Sequence, residues 1–239
     1  MFNKDVIKTL KSVLPITESV VLKYPTTYLV SAERNFIVKM PISQLDTDSF
    51  SNIGFNHSLN DFLNLVDLFP DTVKITQEND VITLKSEDTD ATFITDDISL
   101  LEQYNIDETQ IEKTKQCDTV ASFDLTVAEI EKFKKASNVL KNLTDLAFES
   151  KDGKINMYLT NTSILNSKSN SYSVIKSAQT TKEFNLYLMV ADFAKIPSTE
   201  YSVEIKYNAN AKRSNYRVLM KSKTLENFEI VIGINSIEK

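Results

Sequence analysis

Apolar positions recur along this chain in two rhythms, one at spacings of three and four residues and one that alternates or runs continuously for a few positions. The first predicts helices and the second predicts strands. Val6, Leu10 and Val13, flanked by Ile7 and Leu14, predict a helix over 4–14 that Pro15 stops. Strand-like runs follow at 18–23, 27–32 and 36–42, with turns at Tyr24-Pro25 and Arg34-Asn35. The pattern then restarts with a strand over 50–55 and a helix over 58–69. Leu59, Phe62, Leu63, Val66 and Phe69 share a face of that helix; Ser58 is its expected N-cap and Pro70 its stop. Strands are expected next at 72–76, 81–85 and 91–95.

The second half repeats this order. A strand over 119–125 leads into a helix over 127–141, where Thr126 and Glu129 have the spacing of a capping box. Runs at 143–149 and 154–161 predict a hairpin over Lys151-Asp152-Gly153. A strand over 172–177 follows, then 184–188 leads into a short helix over 189–196 ended by Pro197. Strands at 201–207, 216–221 and 228–234 close the chain. In the first of these, Tyr201, Val203, Ile205 and Tyr207 alternate with Ser202, Glu204 and Lys206, the mark of an antiparallel sheet with one solvated face.

A strand–helix–three-strand unit therefore recurs four times, twice in each half. The expected fold class is α+β: two similar domains, 1–98 and 118–239, each with helices on one face of antiparallel sheets. The segment 99–117 is polar and lacks strand alternation, so it reads as the connector.

Composition narrows the function classes. Three glycines leave little material for phosphate loops or dinucleotide fingerprints. The single cysteine, Cys117, excludes an intrachain disulfide and a cysteine-based zinc cage. His57, the only histidine, has no second histidine or cysteine to share a metal, and the acidic runs at Asp88/Asp90 and Asp96-Asp97 do not fit a calcium loop. No GxSxG, HExxH, P-loop or CxxC is present, so no catalytic residue, metal or cofactor is expected. No apolar run approaches a membrane span, and the start of the chain does not read as a signal peptide; a cytoplasmic protein is expected.

The net charge of −6 argues against nucleic-acid binding until its distribution is considered. Residues 1–117 hold 10 basic and 19 acidic residues, and 118–239 hold 17 and 14. Three of the four expected helices carry lysines opposite their apolar stripe. Lys4, Lys8 and Lys11 oppose Val6, Leu10 and Val13. Lys135, with Lys132 and Lys134 beside it and Glu131 as a partial offset, opposes Ile130, Phe133, Ser137 and Leu140. Lys195 opposes Met189, Phe193 and Ile196. The helix over 58–69 is the exception, presenting Asn60, Asp61, Asn64 and Asp67.

The segments FDLTVAEIEKFKKASNVLKNLTDLAFESKDGKINMYLTN, NHSLNDFLNLVDLF, DTVKITQENDVITLKSEDTDATFI, FNLYLMVADFAKIPSTEYSVEI and ENFEIVIGIN, in unbroken order, resemble the DNA polymerase sliding clamps (processivity factors) of T-even-type tailed bacteriophages. That resemblance implies a DNA-clamp fold of two β-α-β-β-β units per domain and a homotrimer closed head to tail into a ring. Twelve helices would line a hole around duplex DNA, and sheets would form the outer wall. It also implies a non-enzymatic tether for the replicative DNA polymerase, opened and closed by a clamp-loader ATPase complex, in the cytoplasm of an infected bacterial host. In such phages the ring also activates late transcription through a sigma-like factor.

The resemblance assigns surfaces as well. The DNA-facing set is Lys4, Lys8, Lys11, Lys132, Lys134, Lys135 and Lys195, with Asn60 and Asn64 as further candidates. The subunit interface would pair the strand Ala91, Thr92, Phe93, Ile94 and Thr95 with Tyr172, Ser173, Val174, Ile175, Lys176 and Ser177 of the next subunit. A pocket for partner peptides is expected at Leu100, Leu101, Tyr104 and Ile106 beside Ile230 and Ile232, with plain core between the domains as the competing reading of these residues. The competing reading is a β-rich tail or baseplate protein of a phage, which gives lysines no reason to gather on helix faces.

Overall fold

The computed structural model describes residues 4–42, 52–70, 72–163, 172–211 and 215–236. The chain divides into two compact units, 1–108 and 109–239.

In the first unit, α1 (Lys4–Val13) is followed by strands β1 (Val20–Leu22), β2 (Thr26–Val30) and β3 (Phe36–Pro41). Then come β4 (Ile53–Phe55), α2 (Leu59–Val66), β5 (Lys74–Glu78), β6 (Val81–Lys85) and β7 (Asp90–Ile94). β1 pairs with β4, β2 with β3, and β5-β6-β7 form a three-stranded meander, all antiparallel. Burial follows the helical spacing: Val6, Leu10 and Val13 of α1 and Leu59, Phe62, Leu63 and Val66 of α2 are buried. Phe55, Phe62 and Phe93 stack their rings 5.1–5.9 Å apart and join β4, α2 and β7 into one core.

Three features of this unit differ from the sequence expectation. Ser58 does not cap α2 with its side chain; its hydroxyl donates instead to Asp96 Oδ2 at 2.7 Å. The helix ends at Val66, before Pro70, and continues as turns closed by Leu68 and Phe69 amides. The strand expected over 50–55 is seen from Ile53; residues 50 and 51 lie outside the described residues.

The segment read as the connector holds two helical elements. A 3₁₀ segment, Ile98–Tyr104, starts on an Asp97 carboxylate that accepts from the Ser99 amide at 2.9 Å, and α3 spans Thr109–Lys115. The division between the units falls between these two elements.

The second unit continues with β8 (Asp118–Leu125), α4 (Val127–Val139), β9 (Asp145–Lys151), β10 (Lys154–Thr160) and β11 (Ser173–Ser177). After these come β12 (Gln179–Thr180), β13 (Phe184–Met189), α5 (Val190–Lys195), β14 (Tyr201–Tyr207), β15 (Tyr216–Ser222) and β16 (Glu229–Ser236). Its strands run β11-β10-β9-β13-β16-β15-β14-β8-β12, antiparallel throughout. Asp152 and Gly153, at φ 50° and 71°, make the two-residue turn between β9 and β10; two successive left-handed residues match the twist of a hairpin. Thr126 and Glu129 form the expected capping box on α4. Phe133 of α4 stacks edge-on against Phe193 of α5 and against Tyr172, which anchors both helices to the sheet side.

Candidate nucleic-acid and assembly surfaces

The helices divide their lysines into free and committed ones. On α1, Lys8 is exposed, while the Lys11 ammonium lies on the carboxylate of Asp67 at the end of α2. An exposed ion pair of this kind adds little stability, but it lowers the positive field of that face. The Lys4 side chain lies outside the described residues. On α2, Asp61 and Asn64 are exposed and Asn60 is half-buried, so this helix offers no cation.

On α4, Ile130 and Phe133 are buried and Lys132 and Lys135 are exposed. Lys134 is different. Its ammonium donates to the Ile196 carbonyl at 2.6 Å and to Ser198 Oγ at 3.1 Å. Burial pulls its pKa below the usual lysine value, against the field of Glu131. Ser198 donates in turn to Glu131, so Lys134 and Glu131 together tie α4 to the segment after α5. Sequence reasoning placed Lys134 with the DNA-facing cations; here it serves the fold.

On α5, Lys195 is half-buried and pairs with the buried Asp192 at 3.2 Å. Met189 does not face the sheet as expected. It is the last residue of β13 and is half exposed, because the helix starts one residue later.

β7 and β11 each lie at one edge of a sheet, with β5 and β12 at the opposite edges. β7 pairs only with β6, and β11 only with β10, among the described residues. Such an edge presents a row of unpaired N–H and C=O groups. On β7, Ala91 and Phe93 turn inward, and Ile94 is 75% exposed; Thr95, past the strand end, is buried with its hydroxyl on the Asp80 carbonyl at 3.1 Å. On β11, Ser173, Ile175 and Ser177 are exposed, Ile175 to 67%, while Val174 and Lys176 are half-buried. Tyr172 precedes the strand and packs under α4. Each edge thus carries an exposed isoleucine with polar residues on its own face, Thr92 beside Ile94 and Ser173 and Ser177 beside Ile175.

The six residues expected to line a peptide pocket fall in two units, Leu100, Leu101, Tyr104 and Ile106 in the first and Ile230 and Ile232 in the second. Leu101 and Tyr104 are buried in the first unit, and Ile230 and Ile232 are fully buried in the second. Ile106 is half-buried, and Leu100, 67% exposed, is the most accessible of the six.

Sequence reasoning missed a polar network around α3. Lys115 bridges Glu112 at 2.9 Å and Glu229 at 2.8 Å. Burial opposes the Lys115 charge, but the hydrogen bonds to Glu229 and Glu112 outweigh it and raise its pKa. Lys206, expected on the solvated face of β14, is buried; its ammonium reaches Thr119 Oγ1 at 2.7 Å, Glu204 at 2.8 Å and the Lys115 carbonyl at 3.3 Å. Only the odd pairing of Glu204 with Lys206 on one strand face hinted at it. His57 is exposed in a left-handed turn, and no group of three His, Cys, Asp or Glu side chains gathers among the described residues. No helix among them is long and apolar enough to cross a membrane.

No protein-family model and no curated protein matches the sequence. Solved structures do. Proliferating cellular nuclear antigen from Entamoeba histolytica superposes with a TM-score of 0.66 at 10% identity, over 97% of this chain and 94% of that one. The proliferating cell nuclear antigen of Thermococcus kodakaraensis gives 0.65 at 12%, over 98% and 96%. The β clamp of Helicobacter pylori, solved bound to a DNA ligase peptide, gives 0.62 at 11%, over 99% of this chain but 66% of that one. The chain therefore spans just under two thirds of the bacterial β clamp it matches. At these identities the likeness establishes the fold: an α+β sliding-clamp fold with antiparallel sheets.

Proposed function

We propose that this protein is a sliding clamp: a non-enzymatic ring of three chains that encircles duplex DNA and tethers a replicative DNA polymerase. The observation that carries the reading is the combination of a clamp fold over almost the whole chain with exposed lysines, Lys8, Lys132 and Lys135, on helices whose opposite faces are buried.

Contacts that hold without reading sequence go to phosphates, and their cations need reach, not fixed geometry. Lysine, a compact hydrated charge on a flexible stem, suits a ring that must slide. The acidic excess of the chain then belongs to surfaces turned away from DNA, where it discourages wrong binding. In this reading the exposed edge of β7 pairs with the edge of β11 on the next chain, and closure of the ring removes both edges. Loading by a clamp-loader ATPase complex in the cytoplasm of an infected bacterium, and late transcription through a sigma-like factor, extend the proposal by sequence resemblance to the T-even-type clamps. Peptides of such partners would dock near Leu100, the accessible member of the expected pocket.

Light scattering across a dilution series tests the assembly. A species of three times 27.1 kDa, about 81 kDa, is expected. A mass that stays at that of one or two chains at every concentration would contradict the ring.

A further inference from the structure

The outer face of the sheet β11-β10-β9-β13 carries a row of polar groups that the clamp reading does not use. Register sets Asn156 of β10 opposite Glu149 of β9, and Glu149 opposite Asn185 of β13. Two residues along, on the same face, Tyr158 and Tyr187 both stand opposite Ala147. With neighbouring strands about 4.8 Å apart, the two tyrosines rise roughly 10 Å from each other across a methyl floor. Ala147 is fully buried, and the other five side chains are half-buried.

The groups around this notch want donors. The Oδ1 atoms of Asn156 and Asn185 are closed to solvent and accept no hydrogen bond among the described residues. Glu149 has no cation on its carboxylate among them. Its charge is nevertheless felt in the notch: burial first, and the Glu149 field second, raise the Tyr158 phenol pKa. A buried acceptor without a donor is costly, and a half-buried carboxylate between two such acceptors compounds the cost.

We infer that this notch receives an arginine side chain of a partner protein. A guanidinium has five donors and no acceptor, meets a carboxylate with two parallel N–H bonds, and stacks flat on aromatic rings. Here it forks onto Glu149. The two amides swing on their terminal torsions to accept its remaining N–H groups, and Tyr158 and Tyr187 hold its faces. A lysine ammonium has three donors but gathers them at one point, so it can neither fork onto the carboxylate nor stack flat against the rings. This assignment does not rest on the ring.

The test is selection from a random twelve-residue peptide library displayed on phage, panned on the full-length protein after depletion on Glu149→Gln. Recovered peptides are synthesised and titrated by fluorescence anisotropy against the wild type, Glu149→Gln and Tyr187→Ala, with thermal melting to verify that both variants fold. The inference predicts a shared arginine, and affinity at least about tenfold weaker for Glu149→Gln or when that arginine is changed to glutamine. Selection that yields no arginine preference, or peptides that bind Glu149→Gln as well as wild type, overturns it. That result would mean that the amides turn over and donate to Glu149 themselves, closing the row. Either outcome leaves the mass of the assembly, and so the clamp reading, to be judged separately.

Discussion

Glu129 Oε1 accepts a hydrogen bond from Lys176 Nζ at 2.6 Å, and the same carboxylate closes the capping box at the start of α4. One side chain thus joins the edge strand β11 to the helix that carries Lys132 and Lys135.

That link titrates. Burial alone would raise the Glu129 pKa, but hydrogen bonds from Lys176 and from the Thr126 amide and hydroxyl hold it below the ordinary 4.5. A carboxylate depressed on folding contributes stability above its unfolded pKa and loses it as pH falls through the folded value. The wild type should therefore lose stability faster than Glu129→Gln as pH drops below about 4.5, while above about pH 6 the wild type is the more stable. Urea denaturation midpoints of the two proteins over this range check the sign.

The capping box and the Asp152-Gly153 turn were legible in the sequence because each is closed by residues a few positions apart. The fates of Ser58, Lys134 and Lys206 were not, because their partners are distant in the chain. Ser58 bonds Asp96, Lys134 bonds Ile196 and Ser198, and Lys206 bonds Thr119 and the Lys115 carbonyl. Helical spacing identified which side of α4 is solvated; it could not tell that the middle lysine bends back onto the protein. The helix over Thr109–Lys115 was missed because it is short and buries only Ile111 and Thr114, too little for a periodic stripe. The two-residue β12 carries no pattern at all.

The lysines should separate into two classes by mutation. Changing Lys8, Lys132 and Lys135 to Glu should abolish retention on DNA and polymerase stimulation, with the assembly mass unchanged. Changing the three to Gln should flatten the dependence of binding on salt, by up to about 0.9 logarithmic units for each phosphate no longer neutralised. Lys134→Met should do the reverse, costing about 1 kcal/mol of stability through its missing hydrogen bonds and leaving DNA retention intact. Equal loss of DNA retention in both classes would show that α4 is not oriented as proposed.

The isoleucines on the two edges are exposed in the single chain, so charging them should leave its fold unharmed. Ile94→Asp and Ile175→Asp are each expected to keep wild-type circular dichroism and melting within about 0.5 kcal/mol while lowering the mass to that of one chain. A trimer that survives both changes would place the subunit interface elsewhere.

Gly54 in β4 admits no side chain. A Cβ there would meet the Asp96 carbonyl at 2.5 Å and Leu101 Cδ1 at 2.9 Å. The Gly54 carbonyl also accepts from the Asp96 amide at 2.9 Å, so the strand cannot slide away without breaking a bond. Gly54→Ala should destabilise the first unit by about 1–3 kcal/mol, the usual cost of overpacking, as read by chemical denaturation.

A clamp of the proposed kind would enclose DNA without gripping it. This enclosure is tested with Ile94→Cys and Ile175→Cys in a Cys117→Ser chain, incubated with a nicked circular duplex and closed with a bismaleimide. After a high-salt wash, which strips phosphate contacts, the closed protein should stay on the circle and leave when a restriction enzyme cuts it. Equal retention on cut and uncut DNA, or loss from both, would contradict the account.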